Sequence, residues 1–432
     1  MPSSEQRTVP PLREIAREWG RIGCVGFGGP PAHISLLREL CVARRAWLSD
    51  EQFERALAAV NMLPGPASTQ LAIYCAWRLR GNRGAVLGGV CFIAPGLVLI
   101  LALSTLFLAS SPPLWVRGAG MGAGAAVPAV AVGAGWALAR PILARARAAD
   151  DGLLARVLAY GLAGVAAAAT LGPYLVLVLL ACGAVELARH ALARSAAAGV
   201  HAWPPALAAL ATRAHAALAG HAAPLPGWPA RAQAQPTGRA ARVAAAALAA
   251  APAGSGALAW TAFKVGALAF GGGFVIVPLM QADAVSAYHW MTHAQFSSAV
   301  ALGQVTPGPV TQTVAAVGYA AKGLSGGLLA ALVAFAPSFS FVLIGAARFE
   351  RLLVDERVLA FLAGASPAAA GAIVGAAVPL IGALGVWWQY VLLGVAAVAL
   401  LVLRRGVVPT LLCAGVVGTV AALAGAPVVS AA

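Results

Sequence analysis

Charge is what this sequence has least of. Only 10% of its 432 residues are Asp, Glu, Lys or Arg, whereas a soluble chain carries about 25%. That shortage excludes a water-soluble enzyme or scaffold. Lysine is scarcer still, with Lys264 and Lys322 standing alone among 29 basic residues. The six cysteines (Cys24, Cys41, Cys75, Cys91, Cys182, Cys413) lie singly in apolar surroundings. They share no metal-ligand or disulfide-framework spacing and read as reduced packing residues. A dinucleotide fingerprint, a His-Glu-x-x-His helix and paired membrane aspartates are all missing. No metal or cofactor is therefore expected, and an embedded reductase or hydrolase has no visible machinery. The apolar stretches do not alternate, which argues against a β-barrel. Residues 1–19 lack the apolar core of a cleaved signal, so the N-terminus is expected to stay.

What is present is apolar sequence, 61% of the chain, with a mean hydropathy of +0.84. Runs such as 84–108, 172–187, 325–345, 390–403 and 407–425 approach the roughly 20 residues that span a bilayer. The expected fold is an all-α polytopic membrane protein. The net charge of +15 sits mostly on arginines in loops and helix ends, where it sets topology and meets lipid head groups rather than nucleic acid.

The chain also repeats itself. Phe27-Gly28-Gly29-Pro30-Pro31 returns 243 residues later as Phe270-Gly271-Gly272-Gly273. The same offset carries Trp47 to Trp290, Gln52-Phe53 to Gln295-Phe296, Pro64-Gly65-Pro66 to Pro307-Gly308-Pro309, and Gly84 to Gly327. Fixed-period similarity of this kind marks a duplication. Two homologous repeats, 1–189 and 257–432, are expected around an Ala/Pro/Arg/His-rich linker, 190–256, whose His201, His215 and His221 read as solvent-facing.

Each repeat should hold two broken or re-entrant helices followed by about four full spans. In the first, helix 12–27 breaks at Gly28-Gly29 and resumes over 32–43. A capping box from Ser49 to Gln52 opens a second helix that breaks at Pro64-Gly65-Pro66 and resumes over 67–79. Each half is short for a span, and the first pair as one rod would reach about 48 Å, so re-entrant hairpins fit better. Spans then follow near 83–107, 118–139, 153–170 and 173–188. Orientation is left open. Arginine placement favours inverted repeats, while an even number of spans before the linker favours parallel ones.

Breaks at membrane depth persist only where they are buried or line a watery cavity. Matched breaks in two repeats point to a transport site at their interface. Half-helix starts offer unpaired N–H groups with partial positive charge, which suits an anion. The candidate binding residues are Gly28, Gly29, Asn61, Gly65, Ser68 and Thr69 in the first repeat. Their counterparts are Gly271, Gly272, Gly273, Gln304, Thr306, Gly308, Thr311 and Thr313. Arg21 and Lys264, six residues before each Phe-Gly-Gly, could offset the anion's charge or snorkel to the interface. His33, Glu39, Glu54 and Asp283 are proton-coupling candidates, each found in one repeat only.

At these residues the chain resembles the chromate ion transporter family in its long, two-domain form. The resemblance is carried by residues 27–33 with 270–278, and by 61–70 with 304–313 around the two Pro-Gly-Pro turns. It implies a secondary transporter in the bacterial inner membrane that moves chromate outward and gives resistance, with sulfate close enough in shape to compete. It also implies oppositely oriented halves. A passive channel, or a carrier of another oxyanion, stays open as the alternative, as does a homodimer.

Overall fold

The computed structural model describes residues 10–62, 65–149, 152–171, 174–200, 255–269, 276–345 and 355–428. Among the described residues the chain is helical throughout, without strands. The first repeat contains α1 (Leu12–Val25), α2 (Pro30–Arg38) with a π-helical turn (Glu39–Arg44), and α3 (Asp50–Met62). It continues with α4 (Ala67–Phe107), α5 (Leu114–Ala148), α6 (Leu153–Thr170) and α7 (Leu175–Val200).

The second repeat follows the same order, with a 3-10 turn, one short helix and one π-turn more. It holds α8 (Gly256–Leu268), α9 (Ile276–Gln281) with its own π-turn (Ala282–Ala287), and α10 (His293–Val305). A 3-10 turn (Val310–Gln312) leads into α11 (Thr313–Gly345). Then come α12 (Glu356–Gly375), the short α13 (Ala377–Gly382), α14 (Trp387–Ala397) with a π-turn (Val398–Val402), and α15 (Val407–Leu423). Both capping boxes form. Gln52 N–H donates to Ser49 Oγ at 3.2 Å, and Gln295 N–H to Thr292 Oγ1 at 3.2 Å.

The 41 residues of α4 do not form one rod. Arg80 (φ −140°) and Gly81 (φ 58°) leave the helical region, as do Lys322 (φ −149°) and Gly323 (φ 63°) in α11. Beyond each kink the chain doubles back. Gly84 packs against the carbonyl of Ala76, and Gly326 against that of Gly318. The expected half-helix 67–79 and span 83–107 are thus the two arms of α4. The counterpart of Gly84 is Gly326, not Gly327. One residue is lost between the Pro-Gly-Pro turn and the kink, so the match slips from 243 to 242, and Pro95 and Pro337 fall at equivalent places.

Both early pairs are re-entrant. Near its start α1 meets the α4 kink, where Arg80 Nε donates to Pro10 O at 2.6 Å. It rises to the level of Phe92, against which Gly23 packs. The chain then returns, so that Arg44 and Arg45 reach Glu18 at 2.6 and 3.2 Å.

Homologous spans run in opposite directions. Gly89 of α4 packs against Phe339 of α11, whereas Leu101 meets Gly327, so climbing one helix descends the other. The repeats are therefore inverted, and the arginine reading prevails over the span count. They are also interlocked. The first repeat's α5 packs on α15 through Gly118, Gly122 and Gly418, and α12 packs on α6 and α7 through Gly371, Gly375 and Gly364. Arg357 and Arg404-Arg405 fall on the face of Arg13, Arg145 and Arg194, while Arg117 and Lys322 fall on the other. Arg348 and Arg351 lie outside the described residues.

Candidate functional site

The first break begins where α1 ends. Gly28 (φ 98°) and Gly29 (φ 72°) occupy backbone regions that favour glycine, and Pro30 opens α2, where a missing N–H is harmless. One turn on, His33 folds back fully buried. Its Nε2 lies 2.9 Å from Gly26 O and its Nδ1 3.3 Å from Ser68 Oγ. Its ring meets the edge of Phe92, with centroids 5.1 Å apart. A Cβ at Gly26 would stand 2.7 Å from the His33 ring, so His33 demands glycine there. The second repeat has Ala269 and Ile276 at the matching places. Backbone angles at Gly26 (−76°, 68°) and Ala269 (−73°, 66°) are nearly identical.

The Pro-Gly-Pro turns repeat the same economy. Gly65 has φ 121° and Gly308 φ 95°. Each lies over a glutamine amide, Gln70 in one repeat and Gln312 in the other, leaving no room for a side chain. Gln312 Nε2 donates to Ile93 O at 2.9 Å, tying the second repeat's turn to the first repeat's span. Gly96 of that span packs directly on the carbonyl of Pro307.

The breaks meet. Gly308 N–H donates to Gly26 O at 3.0 Å, joining the second turn of one repeat to the first break of the other. A Cβ at Gly29 would lie 3.5 Å from Val310, and one at Gly65 would lie 3.4 Å from Gly266 O. Gly28, Gly29, Gly65, Gly308, Ser68, Thr69 and Thr311 are thus brought to one junction, with Gln304, Thr306 and Thr313 buried on the flanking helices. Gly271, Gly272 and Gly273 lie outside the described residues, as does the side chain of Asn61.

Polar groups at this junction divide into two kinds. Thr306 and Thr313 bond their own helix carbonyls, Leu302 O at 2.9 Å and Val310 O at 2.8 Å. The hydroxyls of Thr69 and Thr311 and the amide nitrogen of Gln304 are buried without a hydrogen-bond partner. Buried polar atoms are almost always paired, so three at one junction point to something they bind. Thr69 and Thr311 are counterparts under the one-residue slip. Gln70 and Gln312 escaped the sequence reading, because the Thr-Gln pair recurs at 242 while the turn recurs at 243.

Charge is arranged unequally. Lys264 Nζ lies 2.6 Å from Asp283 Oδ2, which also accepts from Thr261 Oγ1 at 2.7 Å. Lys264 is 5.9 Å from the Trp260 ring centroid, and the pair is buried, with side-chain exposures of 12% and 3%. Its matched Arg21 is exposed on α1. Glu39 and Glu54 are exposed as well, and Glu54 pairs with Arg38 at 2.9 Å. Of the proton-coupling candidates, His33 stands at the junction, Asp283 stands in the ion pair, and the two glutamates stand apart. Among the described residues no three His, Cys, Asp or Glu side chains gather as a metal site would need.

Inverted repeats whose broken helices meet at their interface, within a bundle of apolar spans, define a polytopic membrane transporter. The comparisons with known proteins narrow the class. The chromate transporter family model matches residues 13–187 and again 256–420, and the chain belongs to that family. It is 30% identical to a chromate transport protein of Cupriavidus metallidurans over 85% of this chain and 82% of the relative. It is 31% identical to a chromate transport protein of Pseudomonas aeruginosa over 84% and 80%. It is 26% identical to a probable chromate transport protein of Synechococcus elongatus over 85% and 84%. No solved structure matches the chain.

Proposed function

We propose that the chain is a secondary carrier that moves chromate outward across the bacterial inner membrane and so gives resistance, with sulfate competing for the same site. The relatives' names support the oxyanion, and the buried polar groups left unpaired at the junction support a site for it there. The observation that carries the reading is the paired, unpartnered hydroxyls of Thr69 and Thr311 beside the Gly26–Gly308 hydrogen bond.

At the Pro-Gly-Pro turns, the N–H groups of Ala67 and Ser68, and of Val310 and Thr311, come before the first turn closes, which it does where Thr69 and Gln70 bond Pro66 O and Gln312 bonds Pro309 O. Their partial positive charge suits a dianion. Pro30 and Pro31 carry no N–H, so the Gly-Gly break contributes shape and close approach more than donors. Lys264 is already balanced by Asp283 and offers the anion little net charge.

Vesicle flux of radiolabelled chromate and sulfate tests this. Flux should saturate, and Thr69→Val and Thr311→Val should each weaken apparent affinity about tenfold, the worth of one hydrogen bond to a charged group. Flux that never saturates would indicate a channel. Unchanged affinity in both variants would remove the proposed site.

A further inference from the structure

His33 has chemistry for which the second repeat has no equivalent. Gly26 O can only accept, so the neutral ring carries its hydrogen on Nε2 and donates there, at 2.9 Å. Nδ1 is then an acceptor, and the hydroxyl 3.3 Å away, that of Ser68, turns its hydrogen toward the ring. In this state Ser68 withholds its donor from the first turn of α4, where the unpartnered Thr69 hydroxyl follows it. A proton added at Nδ1 reverses the bond. Nδ1–H donates to Ser68 Oγ, and the hydroxyl hydrogen is released to point at a ligand.

We propose that oxyanion binding and protonation of His33 drive each other, with Ser68 as the link; this rests on the carrier reading above. Burying an uncompensated imidazolium is costly, and among the described residues the His33 ring bonds only Gly26 O and Ser68 Oγ, with no carboxylate. On α1 the charged neighbour is Arg21, which is exposed, and the buried Glu18, about two turns before the break, is already held by Arg44 and Arg45 at 2.6 and 3.2 Å. On α2 it is Arg38, held by Asp50 at 2.6 Å and by Glu54. The arms of α4 bring Tyr74, Cys75 and Cys91, and place Arg78, Arg80 and Arg83 near the kink. The second repeat's turn, residues 304–313, brings no titratable group. A bound dianion would thus bring to the junction a negative charge that no described residue places against the imidazolium.

The coupling is reciprocal, since each ligand raises the other's affinity by the same factor. With Ile276 and Ala269 at the matching positions, one proton accompanies each oxyanion. The pair keeps a net negative charge, so an inside-negative potential still expels it.

The test uses purified full-length protein and sulfate, whose charge does not change across the working range as chromate's does. Sulfate is titrated calorimetrically in two buffers of different ionisation enthalpy, at mildly alkaline pH. Wild type should take up about one proton per sulfate, with affinity rising about tenfold per unit fall in pH. His33→Gln, whose amide can still donate to Gly26 O, should bind sulfate without proton uptake. Binding by wild type with no proton uptake, or full uptake in His33→Gln, overturns the proposal. Should that variant fail to insert, Ser68→Ala decides, because full uptake with unweakened binding there also overturns it. If neither sulfate nor chromate binds wild type, the carrier reading itself falls.

Discussion

Among the described residues Lys264 and Asp283 form the most buried ion pair, and the pair sets the strongest single-residue expectation. Asp283→Ala would strand a buried ammonium, so it should cost about 3–5 kcal/mol, whereas the double change Lys264→Met with Asp283→Leu should lie much nearer wild type. Unfolding of the purified protein in detergent measures both; a double variant as unstable as the single would show that packing, not charge, dominates. The partnership was invisible in the sequence, because its members sit on different helices 19 positions apart. His33 was visible beside its motif, but the need for Gly26 was not. That need exists only because an imidazole returns to the chain it left seven residues earlier.

At the scale of the element, the doubled-back α4 and α11 show how glycine works in two different ways. Gly81 faces open space, whereas Gly84, on the returning arm, faces the Ala76 carbonyl of the arm before the kink. Gly81→Ala should therefore cost only the strain of a conformation that glycine alone adopts readily (φ 58°, ψ −149°), about 1–3 kcal/mol. Gly84→Ala and Gly326→Ala force two backbones apart and should cost about 1–3 kcal/mol each. Going on from Ala to Leu should cost little more at position 81, which faces open space, and much more at position 84; equal further losses in thermal unfolding would contradict this picture. The breaks themselves were legible from paired glycines and prolines in apolar sequence. The slip of one residue was not, because a shared Thr-Gln pair outweighs the constant offset only once the glutamines are seen beneath their turns.

For the whole molecule the decisive property is inversion. Charge pointed to it and the count of spans pointed away, and only packing between homologous helices could choose. In consequence Arg194 and Gly256 stand on opposite faces, and Arg404, just before α15, and Leu423, at its far end, mark the two faces independently. Single cysteines at these four exposed positions, in a background without the native six, should divide accordingly when labelled with a membrane-impermeant thiol reagent on intact cells. Gly256 and Leu423 should react from outside, and Arg194 and Arg404 only after the membrane is opened. Reaction of positions 194 and 256 from the same side would refute the inverted arrangement.

The exchange of α5 and α12 between halves bears on how such a molecule can move. A helix of each duplicated copy is clasped by the other copy's closing helices, so neither copy is a lobe free to swing by itself. Any passage from inward-open to outward-open must slide along a seam that cuts through both copies, with members of each travelling together on either side of it.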